Sequence, residues 1–206
     1  MASHSRRIST YQAERGIYLD FEGFKGKPPA IAGICVENDF HQIVLDSTLR
    51  SAAEAKNLNC ESFCEFVRCL MEECERDNRF IIAFSSHEMS VIQRDCGIDV
   101  SRRYKNGLRI AKRWKWHYHR DIRLDHNSLD QFLELPGVDY EVPKHLGKGN
   151  ATSRLKAVVA GLARSDDYAK LTPTQKGKWT KLLDYNRHDV LGLRALILRA
   201  AKDTSG

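Results

Sequence analysis

Residues 17–23 read Ile-Tyr-Leu-Asp-Phe-Glu-Gly, and their pattern predicts the first strand of the domain. Apolar side chains alternate with Tyr18, Asp20 and Glu22, which is the period of a β-strand with two different faces. The two carboxylates therefore lie side by side on one face. Desolvation and like-charge repulsion make that placement unfavourable. A cation bound between the two carboxylates would relieve the repulsion. The pattern predicts a paired-carboxylate site, and the alternative is a strand whose acids are simply solvated.

The segments that follow this strand predict an α/β domain. Two short apolar runs, 30–36 and 42–45, come after polar turns, which favours three antiparallel strands. An amphipathic helix at 60–77 precedes a continuous apolar run at 80–84, which is typical of a strand buried on both faces. The order of these elements, with further helices behind them, predicts a mixed central sheet flanked by helices.

Length and composition indicate one domain. A chain of 206 residues with 42% hydrophobic residues can bury a core without help. We assign residues 16–203 to this domain, with a basic insertion at about 101–150, and residues 1–15 to a flexible N-terminal arm. The sequence shows no signal peptide and no membrane span, and its six cysteines are expected to be reduced. We therefore expect a cytoplasmic protein without a membrane partner.

A third acidic residue, Glu88, comes shortly after the run 80–84, in the first turn of a predicted helix. Acidic residues are favoured in a first turn by the helix dipole and by capping. Glu88 taken alone therefore favours a structural role.

Residues 185–189 read Tyr-Asn-Arg-His-Asp in a segment with a helical pattern. Tyr185 and Asp189 are four residues apart, so their side chains share one helix face. A carboxylate at the edge of the apolar stripe can bind a metal while the phenol orients a water molecule. The alternative is a surface ion pair of Asp189 with Arg187 or Arg194.

Together these three motifs resemble those of the DEDD exonuclease superfamily, which has a ribonuclease H-like fold. The sequence resembles the tyrosine subtype of this superfamily. It is more similar still to predicted ribonuclease H-like nucleases that carry Glu in the second motif. The resemblance extends over about 16–201 and is strongest at 18–23 and 185–190. The chain departs from most of the superfamily at the second motif, where it has Glu88 in place of Asp and lacks an upstream Asn.

The resemblance implies a role for each acidic residue. Asp20, Glu22 and Asp189 would bind one metal ion, and Asp20 with Glu88 would bind another. Tyr185 would position the attacking water. Oxygen ligands suit Mg²⁺ or Mn²⁺, and two such ions clamp the attacking and leaving oxygens of an in-line displacement at phosphorus.

A basic segment at 101–123 carries nine Lys or Arg and one acidic residue, Asp121. Lys and Arg can contact phosphates, and an exposed Trp can stack on an unpaired base. The alternative is a helix with tryptophans in the core and solvated charges. Trp114 and Trp116 cannot both face inward on a straight helix. The predicted nucleic-acid-binding residues are Arg109, Lys112, Arg113, Trp114, Lys115 and Trp116.

The sequence thus predicts a two-metal-ion-dependent nuclease that hydrolyses phosphodiester bonds. The net charge of +6 agrees with a polyanionic partner. The resemblance implies a 3′–5′ exonuclease acting on DNA or RNA that is single-stranded or has a free 3′ end, with a helicase-like or repair partner as a further possibility. The alternatives are an inactive nucleic-acid-binding module of the same fold and a structure-specific endonuclease with the same metal site.

Overall fold

The alternating stretch forms one of the two central strands of a six-stranded mixed sheet. This computed structural model describes residues 7–143, 146 and 151–204. The strands are β1 (Ile17–Gly23), β2 (Pro29–Val36), β3 (Asp39–Val44), β4 (Asn59–Cys60), β5 (Ile81–Ala83) and β6 (Tyr104–Asn106). Their order in the sheet is β4-β3-β2-β1-β5-β6.

Strand directions confirm the predicted mixed sheet. β1 pairs with β2 and β2 with β3 in antiparallel fashion, because short turns join them. β5 lies parallel to β1, and β6 lies parallel to β5. The register places Asp20 opposite Gly33 of β2, and it shifts after Glu22 at the end of the pairing.

Helices cover both faces of the sheet. The helices are α1 (Thr10–Glu14), α2 (Arg50–Glu54), α3 (Phe63–Arg76), α4 (His87–Cys96), α5 (Gly107–Tyr118), α6 (Leu129–Leu133), α7 (Ala151–Ser165) and α8 (Pro173–Thr204). Ile17 and Leu19 pack against α3 and α4 on one face, whereas Tyr18 packs against α5 and α8 on the other. Asp20 and Glu22 alternate in phase with Tyr18 and so belong to the α8 face.

The predicted flexible arm differs from the structure over residues 7–15. Ser9 caps α1 through a reciprocal pair of hydrogen bonds with Gln12. Ala13 is fully buried, and its carbonyl oxygen accepts a hydrogen bond of 2.6 Å from the Tyr18 hydroxyl. Residues 7–15 are therefore ordered by tertiary packing that their polar composition does not reveal. Residues 1–6 lie outside the described part of the chain.

The predicted basic insertion also differs from the structure. Residues 104–106 form the edge strand β6, and α5 packs its buried side chains into the core that it shares with α8. The beginning of this segment is therefore part of the central sheet and its helical layer. Residues 144, 145 and 147–150 lie outside the described residues.

The expectation of six reduced cysteines is contradicted at one pair. Cys64 of α3 and Cys96 of α4 form a disulfide across two neighbouring helices, with a Cα–Cα distance of 5.3 Å. Cys35, Cys60 and Cys74 are among the free thiols. The two partners are 32 residues apart in sequence, so their proximity follows only from helix packing. Within the described residues, no helix combines the length and apolar character needed to span a membrane.

Candidate metal centre

Three acidic side chains from two distant segments meet on the α8 face of the sheet. Asp20 and Glu22 extend from β1, and Asp189 extends from the middle of α8. Among the described residues, these three form the only group of potential metal ligands in which one atom of each lies within 4.8 Å of the others. The structure therefore brings together three of the four predicted metal ligands.

A glycine permits the close approach of α8 to the sheet. A Cβ atom built on Gly33 of β2 would lie only 2.3 Å from the side-chain oxygen of Asn186 on α8. Gly33 pairs with Asp20 across the two strands, so the helix passes directly over the acidic part of β1. A larger residue at position 33 would displace the helix that carries Asp189.

Asn186 is a buried polar residue that orients Asp20. Its side-chain nitrogen donates to Asp20 Oδ2 at 2.8 Å and to the Asp20 carbonyl at 3.3 Å. Its oxygen accepts a hydrogen bond of 2.9 Å from Gln42 Nε2. Sequence reasoning missed this role. The available signal was an Asn inside a helix, where its low helix propensity favours a specific side-chain partner.

Desolvation and mutual repulsion raise the pKa values of the three carboxyl groups of this centre. Desolvation, followed by the charge of Glu88, raises the pKa of Asp20 to about 7, and the hydrogen bond from Asn186 opposes this rise. Desolvation and then Asp20 raise the pKa of Glu22 to about 8. Desolvation raises the pKa of Asp189 well above its usual range, with further contributions from Asp20 and Glu22. A divalent cation would reverse this balance, because it stabilises the ionised forms.

These pKa values predict how the metal-free protein responds to pH. The folded-state pKa of Asp20, about 7, exceeds its ordinary value of 3.8, so the native state binds more protons than the unfolded state. The stability from this protonation is full below the unfolded pKa and is lost as pH rises through the folded pKa. We expect Asp20→Asn to stabilise the metal-free protein, and to do so by about 2 kcal/mol more near pH 8 than near pH 5.

Thermal melting in the presence of a chelator measures this difference. Glu72→Gln is the matched control, because Glu72 is an exposed acidic residue on α3, across the sheet from the centre. An Asp20→Asn variant whose stability gain does not change with pH would contradict the prediction.

Glu88 lies beside this group but outside it. It is buried, with 6% of its surface exposed, in the first turn of α4. Its Oε2 atom accepts hydrogen bonds from Ser85 Oγ at 3.3 Å and from the Tyr104 hydroxyl at 3.2 Å. Its charge still raises the pKa of Asp20. The structure thus places Glu88 in electrostatic contact with the centre, held by its own hydrogen bonds.

Tyr185 borders the cavity that leads to the carboxylates. This cavity has a volume of about 700 Å³, and Glu22, Tyr185 and Asp189 line it together with residues 151–153 and Lys156 of α7. Burial and the neighbouring charge of Asp189 raise the pKa of Tyr185, so its phenol stays protonated. A neutral phenol can donate one hydrogen bond and accept another, which is the property needed to orient a water molecule.

His188 precedes Asp189 in sequence, but both of its ring nitrogens contact other side chains of the domain. Its Nε2 lies 3.0 Å from Asp130 Oδ1, and its Nδ1 lies 3.1 Å from the Tyr140 hydroxyl. Both ring nitrogens therefore have partners in the segment that packs over α8. His188 ties α6 and the following loop to the helix that carries Asp189.

The structure contradicts the predicted nucleic-acid role of Trp114. Trp114 is 1% exposed and donates from Nε1 to Asp203 Oδ2 at 2.8 Å. It lies on the inward side of α5 with Ile110 and Ala111, so its spacing from these residues places it in the core. Trp116 is 56% exposed, as expected for the tryptophan that faces outward.

The remaining predicted nucleic-acid-binding residues are not part of the carboxylate cluster. Arg109 and Lys112 are exposed on α5, and Arg113 and Lys115 are half-buried, with Lys115 Nζ donating to the His119 carbonyl at 3.2 Å. The structure therefore forms two separate features, an acidic centre and a basic helix face.

A comparison with known proteins gave no match to a family model, to a curated protein or to a solved structure. The candidate metal centre therefore rests on the geometry and chemistry of its own residues.

Proposed function

We propose that this protein is a metal-dependent nuclease that hydrolyses phosphodiester bonds in nucleic acid. The observation that carries the proposal is the convergence of Asp20, Glu22 and Asp189, with ligand atoms within 4.8 Å of one another, in a half-buried setting that raises their pKa values. Desolvated carboxylates that repel one another are unfavourable, and perturbed pKa values of this kind are enriched at functional sites. The fold that we propose for the domain is ribonuclease H-like.

The residues of the centre fit Mg²⁺ or Mn²⁺. They supply only carboxylate oxygens, the ligands that these hard cations prefer. Asp20, Glu22 and Asp189 would hold one ion, and Glu88 would join Asp20 in holding a second. When bound, such ions stabilise the negative charge that develops on phosphate oxygens and lower the pKa of bound water.

The chain itself would supply orientation and charge around the reacting phosphate. The protonated phenol of Tyr185 would hold the attacking water through a hydrogen bond. Lys156 lines the same cavity, which opens beside the first residues of α7. A cation and the N-terminal end of a helix both favour a phosphate group. The cavity thus pairs acidic residues that suit metal ions with groups that suit a polyanion.

The direction of cleavage rests on the resemblance to the DEDD superfamily, tyrosine subtype. That resemblance favours a 3′–5′ exonuclease acting on DNA or RNA. An endonuclease with the same metal centre would not need a strand end. A binding module of the same fold would bind nucleic acid without cutting it.

One assay separates these three functions. Linear single-stranded and duplex DNA and RNA, labelled at the 5′ end, and a circular single strand are incubated with Mg²⁺, Mn²⁺ or a chelator. We expect progressive shortening of the linear strands with either metal, none with the chelator, and resistance of the circle. Cleavage of the circle would indicate an endonuclease. Binding without metal-dependent cleavage of any substrate would overturn the proposed activity.

A further inference from the structure

The outward side of α5 forms a continuous basic stripe. Its members, which we call the α5 face, are spaced so that they share one side of the helix and line one shallow cavity of about 640 Å³. The residues of the α5 face are Arg109, Lys112, Arg113, Trp116 and His117. No Asp or Glu occurs between residues 101 and 120, so no acidic residue of this segment offsets the stripe.

The basic surface continues into a second cavity. This neighbouring cavity, of about 590 Å³, shares Arg113 and His117 with the α5 face. Arg7 and Lys105 also line it, and its described lining residues include no carboxylate. A surface of this length with one sign of charge favours an extended polyanion over a single small anion.

Trp116 gives this surface a specific chemistry. Trp116 is 56% exposed, and the Arg120 guanidinium lies 4.5 Å from the centroid of its ring. An exposed aromatic ring held among cations is the arrangement with which proteins stack unpaired bases while contacting phosphates. A helix that binds a membrane surface would expose a broad apolar side, whereas the apolar side of α5 is buried in the core.

The α5 face begins near the metal centre and ends far from it. Gly107, the first residue of α5, lies against Leu193, one turn after Asp189 on α8. At the other end of α5, Trp114 and Tyr118 hydrogen-bond to Asp203. The axial distance along α8 from Asp189 to Asp203 is about 21 Å. A nucleic acid strand with a rise of about 3.4 Å per nucleotide would need about six nucleotides to cover that distance.

We infer that the α5 face anchors the single-stranded part of the substrate at a distance from the metal centre. This inference rests on the proposed nuclease function. A strand longer than about six nucleotides can extend from the metal centre to the far end of the α5 face at Trp116, whereas a shorter strand contacts only its near end. The enzyme is therefore selective for longer strands, and Trp116 favours single strands over duplex.

Binding to a turnover-blocked protein tests the anchor. Asp189→Asn is combined with Arg109→Gln/Lys112→Gln or with Trp116→Ala, and fluorescence anisotropy measures the affinity for labelled single strands of about 20 and about 4 nucleotides and for a duplex, chosen to bracket the estimated span. We expect Arg109→Gln/Lys112→Gln to weaken binding of the long strand about tenfold and to reduce its salt dependence. Trp116→Ala should weaken single-strand binding about fivefold and duplex binding less.

The matched control is Lys56→Gln/Arg68→Gln, which removes the same charge from exposed residues outside α5. Thermal melting verifies that each variant is folded. Unchanged long-strand binding in both α5 variants would overturn the inference, as would an equal loss of short-strand and long-strand binding in Trp116→Ala. Binding to vesicles containing anionic lipid that is lost with Arg109→Gln/Lys112→Gln would assign the surface to membranes and also overturn it.

The outcomes for the anchor and for the nuclease are distinguishable. Long-strand binding that depends on the α5 face, in a protein that never cleaves with Mg²⁺ or Mn²⁺, would keep the anchor and reject the nuclease. Metal-dependent cleavage of the long strand by the wild type, with no effect of the α5 variants on binding, would keep the nuclease and reject the anchor.

Discussion

Replacing Asp189 with Asn is expected to lower metal-dependent phosphodiester hydrolysis by about a thousandfold. Asp189 is the only member of the cluster from α8, so its loss leaves only the two acids of β1. The variant should fold normally, because an Asn has nearly the shape of the protonated carboxyl that burial favours at this position. The rate of shortening of a labelled strand with Mn²⁺ measures the effect.

Two comparisons make this prediction specific. Asp20→Asn should show a loss of similar size, although it stabilises the metal-free protein at high pH, so stability and activity move in opposite directions. Glu72→Gln, at an exposed position on α3, should retain full activity. Activity of Asp189→Asn within about tenfold of the wild type would remove Asp189 from the metal centre.

Asn186→Ala is expected to weaken Mn²⁺ binding about thirtyfold, since partners that orient a metal ligand typically contribute 10- to 100-fold in affinity. The substitution removes the 2.8 Å hydrogen bond to Asp20 Oδ2 and leaves Gln42 without its acceptor on Asn186. Buried polar groups without partners destabilise a fold, so we also expect a stability loss of about 2 kcal/mol. Calorimetric titration with Mn²⁺ and thermal melting measure the two effects.

The dependence of activity on metal concentration shows whether Asn186 acts by positioning Asp20. If Asn186 acts by positioning Asp20, excess Mn²⁺ should restore much of the rate that Asn186→Ala loses. Asn127→Ala provides a control at an exposed asparagine that lies just before α6. A fall in the rate at saturating metal, with unchanged Mn²⁺ affinity, would contradict a positioning role.

Local pattern accounts for the part of the fold that could be predicted. The alternation in β1 and the short polar turns after it predicted three antiparallel strands, and the structure confirms them. β6 was not predicted, because a strand of three residues in which only Tyr104 is buried shows no alternating pattern in the sequence. α1 was not predicted, because its five residues are ordered by packing on the rest of the domain. The polar composition of so short a segment does not reveal that packing.

The candidate site also has some features that local pattern predicts and others that depend on tertiary packing. The period of a strand placed Asp20 and Glu22 on one face, and helical spacing showed that Trp114 and Trp116 could not both be buried. Which tryptophan is buried depends on the packing of α5 against α8, and the structure selects Trp114.

The pairing of Asp20 and Glu22 on one face of β1 could be predicted, because side-chain direction along a strand depends only on the local backbone. Only the packing of helices on the sheet brings Asp189 to these carboxylates, places Asn186 against Asp20 and leaves Glu88 outside the cluster. Asn186 and Asp20 are 166 residues apart in sequence, and they meet because α8 passes over Gly33, where no side chain separates helix from sheet. Contacts over such separations follow from how whole elements pack, which local spacing does not encode.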